Sequence, residues 1–316
     1  MNLLITGGAG FIGSNFIRYM LKTDESCFII NIDLLTYASN PSYLSDVSTN
    51  KRYQFVKGDI SNKSLINELI NKYRIDCIIN FAAESHVDNS IKNANTFIQT
   101  NVLGTTCLLD CAKENNTRLI QISTDEVYGS LSNGYADESF PLNPSSPYSA
   151  SKAAADQFVC AYHQTYGLPF NIVRAANNYG PNQHIEKMIP QMLMRMQNNE
   201  TLPVYGNGTN IRDWLYVEDF CRAIRLILHK GVNGEIYNIS SHQEIDNLSL
   251  VKKLCDLMQY DEKQITFVND RPGHDFRYGV DTRKIEALGW QGNICLDEGL
   301  AKTVSWYNKT GINWKF

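Results

Sequence analysis

No apolar run in this 316-residue chain approaches the ~18 residues that a membrane-spanning helix needs. Excess basic charge is missing too: 29 Lys and Arg stand against 33 Asp and Glu, for a net charge of −4. That balance leaves no electrostatic footprint for nucleic acid, and no basic run points to a membrane surface. Strand-like Leu3-Leu4-Ile5 starts directly after Met1 and leaves no room for a secretory leader, so a cytoplasmic location is expected. The eight cysteines lack zinc-type spacing; Cys107 and Cys111 share a helical face, but no His or further Cys completes a set. Buried free thiols in a reducing compartment, with no metal site, are the expectation. Internal repeats, low-complexity tracts and a flexible linker are also absent. The remaining composition, 43% hydrophobic and 20% charged, is that of an ordinary globular protein long enough for one large core or two.

What is present is alternation of short apolar strands with helical patterns. Residues 2–6 read as a strand, followed by Gly7-Gly8-Ala9-Gly10-Phe11-Ile12-Gly13 and a helix through Lys22. Glycines spaced three apart between strand and helix are a dinucleotide fingerprint. The first permits a tight turn, the second lets backbone approach a pyrophosphate, and the third lets helix pack on strand. A second strand, Cys27 to Ile32, ends in Asp33, 20 residues past Gly13. A carboxylate there accepts hydrogen bonds from an adenosine ribose and repels a 2′-phosphate, which favours NAD over NADP. The strand Tyr53 to Val56 leads to Gly58-Asp59-Ile60, an expected adenine-side contact. A helix over Ser64 to Tyr73 precedes the strand Cys77 to Phe81, which runs into Ala82-Ala83-Glu84-Ser85-His86-Val87-Asp88. Its small residues would let backbone lie against the cofactor. His86 reads as a structural or substrate-positioning residue rather than a catalytic base.

One long helix is expected from Phe97 to Asn115. Then Leu119 to Ile122 releases Ser123-Thr124-Asp125-Glu126 at the carboxyl end of a buried strand, where α/β sheets bind ligands. Adjacent carboxylates there can serve as acid and base if their surroundings separate their pKa values. In Pro147-Tyr148-Ser149-Ala150-Ser151-Lys152, Tyr148 and Lys152 fall one helical turn apart. An ammonium beside the phenol, with a positive nicotinamide ring, is expected to lower the Tyr pKa from about 10 toward neutrality. Beyond the strand Phe170 to Arg174 come a turn-rich stretch Asn177 to Pro181, a helix Lys187 to Asn198 and a loop Pro203 to Gly208. A helix Val217 to His229 and a strand Glu235 to Ile239 return to the main sheet. Arg212 and Arg271 are candidates for a substrate pyrophosphate, since Arg presents paired donors. The expected fold is α/β: a Rossmann-type doubly wound parallel sheet with a smaller, interleaved C-terminal substrate-binding lobe. Residues 1–174 with about 213–240 form the cofactor domain, and 175–212 with 241–316 the lobe. Apolar residues around several faces of the Phe97 and Tyr148 helices, Leu108 among them, predict a homodimer built on a four-helix contact.

Taken together, Thr6–Gly13, Ala82–Asp88, Ser123–Gly129, Ser146–Lys152, Asn177–Pro181, Glu186-Lys187, Arg212–Asp219 and Asp270–Asp275 resemble the extended short-chain dehydrogenase/reductase family. Within it they resemble the nucleoside-diphosphate-glucose 4,6-dehydratases. Thr124-Asp125-Glu126 is the discriminating element. Relatives that decarboxylate UDP-glucuronate or dehydrate GDP-mannose typically carry Ser at the Asp125 position, and 4-epimerases lack the carboxylate pair. The resemblance implies that Tyr148, with Lys152 and Thr124, deprotonates the C4 hydroxyl while the C4 hydride passes to NAD. Glu126 then removes the C5 proton, protonated Asp125 donates to the departing C6 hydroxyl, and the hydride returns to C6.

Toward NAD the resemblance implies Gly7, Gly10, Phe11, Ile12, Gly13, Asp33, Asp59, Ile60, Phe81, Ala82, Ala83, Thr100, Tyr148, Lys152 and Asn178. Toward the sugar nucleotide it implies Ser85, Thr124, Asn177, Lys187, Met188, Pro203, Val204, Tyr205, Arg212, Asn247, Arg271 and His274. Arg212-Asp213-Trp214 and Arg271–Asp275 look like the dTDP-glucose enzymes, whereas Gly180-Pro181-Asn182-Gln183 looks like the UDP-glucose enzymes, so both nucleotides stand. The rival readings are a 4-epimerase or decarboxylase on the same scaffold, and a non-catalytic NAD-binding regulator.

Overall fold

Strands that are apolar almost throughout have to be covered on both faces. In the computed structural model, which describes residues 1–310, seven of them form one parallel sheet. They are β1 (Asn2–Thr6), β2 (Phe28–Asp33), β3 (Tyr53–Lys57), β4 (Cys77–Asn80), β5 (Arg118–Thr124), β6 (Phe170–Ala175) and, much later, β10 (Glu235–Ile239). Their order is β10-β6-β5-β4-β1-β2-β3, a doubly wound sheet whose direction of winding reverses between β1 and β4. The helices that cover it include α1 (Phe11–Thr23), α2 (Lys63–Tyr73), α3 (Val87–Lys92), α4 (Ala94–Phe97), α5 (Thr105–Glu114) and α6 (Pro147–Tyr166). Alternation along β1 feeds two cores. Leu3 and Ile5 meet Phe16, Ile17 and Met20 of α1 on one face, while Leu4 meets Ile66, Leu108 and Val159 on the other.

Of the remaining elements, α7 (Met188–Gln197), α9 (Asn247–Met258) and α11 (Leu296–Thr310) build the lobe, whereas α8 (Val217–Lys230) packs against α1 and α10 (Arg283–Ala287) against β10 of the main sheet. A small sheet joins β11 (Glu244–Asp246), β9 (Ile211–Tyr216) and β7 (Asn177–Tyr179). Residues 213–216, at the edge of the expected cofactor segment, are therefore part of the lobe's sheet. A separate core of Tyr179, Ile189, Leu193, Trp214, Leu250, Leu254 and Leu300 fills the lobe. Pro203 to Tyr205, expected as loop, belong instead to β8 (Leu202–Tyr205), which pairs in parallel with β12 (Ile265–Val268). The two partners lie some 60 residues apart, so no local pattern announces the pairing. Residues 311–316 of the expected lobe lie outside the described residues.

The helix expected to run unbroken from Phe97 to Asn115 is divided. A π-helical stretch over Ile98–Gly104 separates α4 from α5. Buried Asn101 explains it: its amide donates to Ser151 Oγ of α6 at 2.8 Å and to the Glu84 carbonyl, and its oxygen accepts from the Glu84 N–H. The wider turn lets one side chain tie the loop after β4 to α6. Leu108, expected at a dimer contact, is fully buried in the chain's own core, as are Leu109, Cys111 and Ala112. Contacts within the chain account for much of that helix's apolar circumference. Ile98, Leu103, Phe158 and Tyr166 stay exposed. All eight cysteines are free. Among the described residues no helix is long and apolar enough to cross a membrane, and no His, Cys, Asp and Glu grouping could hold a metal.

Candidate active site

A cleft of about 320 Å³ opens above the carboxyl ends of the strands at the β1/β4 switch point. Of the residues expected toward the cofactor, it is lined by Gly7, Gly10, Phe11, Ile12, Gly13, Asp33, Asp59, Ile60, Phe81, Ala82, Ala83, Thr100, Tyr148 and Lys152. Asn178 is not among its walls; its amide donates to the Ala176 carbonyl. The glycine turn tolerates no side chain. A Cβ on Gly13 would sit 2.5 Å from the Gly7 carbonyl oxygen, and Gly7 itself holds φ +67 against the backbone of Ala82. Helix α1 begins at Gly10 with no side-chain cap, so its first N–H groups remain available to an anion. Asp33 is oriented by the Ala9 N–H at 2.9 Å, the Leu35 N–H at 2.8 Å and the Ser39 hydroxyl at 2.9 Å. A glycine-only cradle, an uncapped helix start and a fixed carboxylate suit a dinucleotide with a free ribose diol, and these residues fit NAD.

The reacting groups stand at the inner end of the cleft. Thr124 ends β5, and a single 3-10 turn carries Asp125, Glu126, Val127 and Tyr128. Thr124 caps that turn by accepting from the Glu126 N–H and donates to Asp125 Oδ1 at 3.2 Å. A Ser146/Ser149 capping box and Pro147 start α6, which presents Tyr148 and Lys152 to the same space. Lys152 donates to the Ile122 carbonyl.

The two carboxylates are pushed apart electrostatically. Burial raises Asp125 well above the ordinary carboxylate range, and Glu126 and Asp213 raise it further. Burial also raises Glu126, but Arg212, Arg271 and Lys187 all pull it back toward ionisation. A neutral acid beside a carboxylate faced by three cations is a pairing that can donate one proton and remove another. Among the protein's own groups, the Tyr148 phenol is pushed up, first by burial and then by Glu126 and Asp125, with the Thr124 hydroxyl working the other way. Burial pulls Lys152 down to about 8. The expected lowering of Tyr148 also counts on the positive nicotinamide ring, so the protein's own groups do not supply it.

Of the residues expected toward substrate, Arg212, Arg271 and Lys187 all act on Glu126, and the others are spread around them. Ser85 and Lys187 line the cleft and are joined, Lys187 donating to the Ser85 carbonyl at 2.6 Å. Arg212 is buried, donates to the carbonyls of Ile211, Asp275 and Phe276, and stacks on Tyr278 at 4.6 Å. Arg271 meets Asp88 at 3.4 Å, and Asp88 also accepts from the Tyr205 hydroxyl. His274 pairs with Asp270. Asn177 and Asn247 each keep a buried side-chain oxygen without a partner. Met188 packs against the lobe core. Val204 is buried in that core, so on β8 Pro203 and Tyr205 lie on the opposite face. His86 is lowered to about 4 by burial, which keeps its ring neutral. The sequence motifs include Glu84, Gln183 and Glu186 in the cleft wall without giving them a role, and nothing local marks Tyr37, which meets Glu186 and His184 beside the cleft.

A family model described as GDP-mannose 4,6 dehydratase matches residues 4–303. The chain belongs to that family. Within it, the dTDP-glucose 4,6-dehydratase of Haemophilus influenzae is 49% identical, over 97% of this chain and 98% of its own length. The crystal structure of dTDP-glucose 4,6-dehydratase from Bacillus anthracis, in complex with NAD, superposes with a TM-score of 0.94 at 44% identity, over 99% and 98% of the two chains. A dTDP-glucose 4,6-dehydratase from Streptomyces venezuelae with NAD bound gives 0.95 at 46%, over 98% and 97%. A UDP-glucose 4-epimerase from Thermotoga maritima shares the scaffold at 0.91 and only 28% identity, over 98% and 99%. This dehydratase is thus a NAD-dependent enzyme of the short-chain dehydrogenase/reductase type, and the 4-epimerase reading is disfavoured.

Proposed function

We propose that the enzyme converts dTDP-glucose to the 4-keto-6-deoxy sugar nucleotide and water, with the residues of the β5 turn and α6 dividing the chemistry. Tyr148 removes the C4 hydroxyl proton, with the Thr124 hydroxyl beside it and the Lys152 charge below. When bound, NAD supplies reversible hydride acceptance and is regenerated in each turnover, held by the glycine cradle and Asp33. The ketone formed at C4 acidifies the C5 proton, and Glu126, kept toward ionisation by Arg212, Arg271 and Lys187, is the base that takes it. Asp125, kept protonated by burial and by Glu126, donates its proton to the C6 hydroxyl as it leaves as water. What carries this reading is the difference between two buried neighbours: acidic groups push Asp125 up further, whereas three cations pull Glu126 back. An epimerase has no use for such a pair.

Curated relatives at 43–49% identity that carry the dTDP-glucose 4,6-dehydratase name support thymine over uracil as the base. Cytoplasmic location and a homodimer complete the proposal. The dimer is supported by exposed Ile98 and Leu103 on the π stretch and Phe158 and Tyr166 on α6.

Incubation with dTDP-glucose and UDP-glucose in parallel, with product mass measured, is the direct test. Loss of one water, faster with dTDP-glucose, is expected; a product of unchanged mass refutes the reading. Glu126→Gln and Asp125→Asn should still oxidise C4, seen as reduced-cofactor absorbance, while elimination slows ~10²–10⁴-fold. Wild-type elimination in Glu126→Gln removes it as the base.

A further inference from the structure

Lys152 begins a row of buried charges whose other members, Asp156 and Arg174, the mechanism above leaves unused. Asp156 follows Lys152 by four residues on α6, so the two share a face of the helix. Both are buried, Asp156 completely. Asp156 accepts from Arg174 Nε of β6 at 2.9 Å, and the guanidinium is itself 2% exposed. Arg174 then donates through Nη1 to the Tyr128 hydroxyl at 2.8 Å and lies over that ring at 4.9 Å. Tyr128 ends the same 3-10 turn that carries Asp125 and Glu126, and its hydroxyl passes the chain on to Asn238 of β10. An alternation of cation, anion and cation thus runs from Lys152 through Asp156 to Arg174. It joins the helix of Tyr148 to the turn of the two carboxylates.

A buried ammonium this poor in partners would tend to lose its proton. Its one hydrogen bond among the described residues goes to a neutral carbonyl, that of Ile122 on β5. The π stretch presents Asn101, also neutral, bonded to Ser151. Tyr148 shares α6, and Asp125 and Glu126 act on Tyr148 from the 3-10 turn. Arg174 faces from β6 with its charge spent on Asp156. The charge that offsets the desolvation of Lys152 comes from Asp156.

We propose that Asp156 is a positioning residue for the reaction: its carboxylate, fixed by Arg174, keeps Lys152 charged beneath Tyr148. Neither Asp156 nor Arg174 reaches the cleft, so the pair acts through Lys152. This assignment rests on the roles proposed for Tyr148 and Lys152.

The test is the pH dependence of C4 oxidation in a single turnover of the NAD-loaded enzyme with dTDP-glucose, read as reduced-cofactor absorbance. Wild type should lose rate along an alkaline limb as Lys152, lowered by burial, deprotonates. In Asp156→Asn that limb should move down by roughly one pH unit, because an opposing charge has been removed. Asp156→Glu, which keeps the charge, should restore the limb. Asp156→Leu combined with Arg174→Met replaces the pair with apolar side chains, the exchange that buried ion pairs tolerate best, and serves where the single variant does not fold. It too must move the limb down. A limb that exists in wild type and stays in place when Asp156 is neutral overturns this inference alone. A wild type active at constant rate through the alkaline range instead refutes the role given to Lys152.

Discussion

Replacing Lys152 with Met should make the cofactor-free protein more stable while abolishing turnover. Lys152 is 4% exposed, and burial pulls its pKa from 10.5 to about 8. The difference, 10.5 − 8, at ~1.36 kcal/mol per pH unit, makes holding the charge cost roughly 3.4 kcal/mol at pH 7. Met keeps the length and bulk of the side chain but forfeits the charged bond to the Ile122 carbonyl, worth about 2 kcal/mol. The variant should therefore gain roughly 1 kcal/mol at pH 7. The sign of the pH dependence follows from a folded pKa below the unfolded one. The penalty is complete below pH 8 and is relieved as pH rises toward 10.5, because the unfolded chain then binds more protons. At pH 9 the advantage should have disappeared. Cysteine and tyrosine titrations occur in both proteins and cancel in the difference. Urea unfolding of both proteins at pH 7 and pH 9 after cofactor removal measures it, given equal denaturant slopes. A variant no more stable than wild type at pH 7, or an advantage that ignores pH, refutes the reasoning. A positive outcome places Lys152 among residues retained for function against stability.

Gly13→Ala should yield protein lacking NAD, since its methyl would meet the Gly7 carbonyl at 2.5 Å where the cradle closes; absorbance of nucleotide released on denaturation reads this directly. Nucleotide recovered from wild type should be NAD, because Asp33 is locked toward the ribose by three donors; recovery of mainly NADP contradicts that. Phe158→Glu, at a residue 42% exposed, should convert a dimer to monomer by light scattering without loss of the thermal transition; a wild type that scatters as a monomer at micromolar concentration removes the dimer. Leu108→Glu should instead unfold the chain, since Leu108 is fully buried within it.

The cofactor half of the site was legible because its demands are local. Gly7, Gly13 and Asp33 are dictated by one turn, one close approach and one strand end, all within a short stretch of chain. The lobe was harder to read. β8 pairs with β12 across some 60 residues, so Pro203–Tyr205 looked like a loop, and Val204 turns inward for reasons found only in the pleat. The π stretch depends on Asn101 meeting Ser151, 50 residues away. Around Tyr148, spacing reveals a neighbouring ammonium but not how much water the pocket excludes, and among the protein's own groups exclusion dominates. The roles of Asp125 and Glu126 came from resemblance alone; their electrostatic basis, with Arg271 and Lys187 acting on Glu126, depends on residues far apart in the chain.

The place of β10 in the sheet bears on how the chain is made. Strand β6 ends at Ala175, and its outer neighbour β10 begins only at Glu235, so about 60 residues are synthesised between them. At ~5–20 residues per second the ribosome needs on the order of 3–12 s to supply them. Throughout that interval a strand buried at every position presents an unpaired edge to solvent. Nascent chains stalled between these points should be clients for chaperones. Fragments ending near residue 200 should aggregate rather than survive as a free cofactor domain.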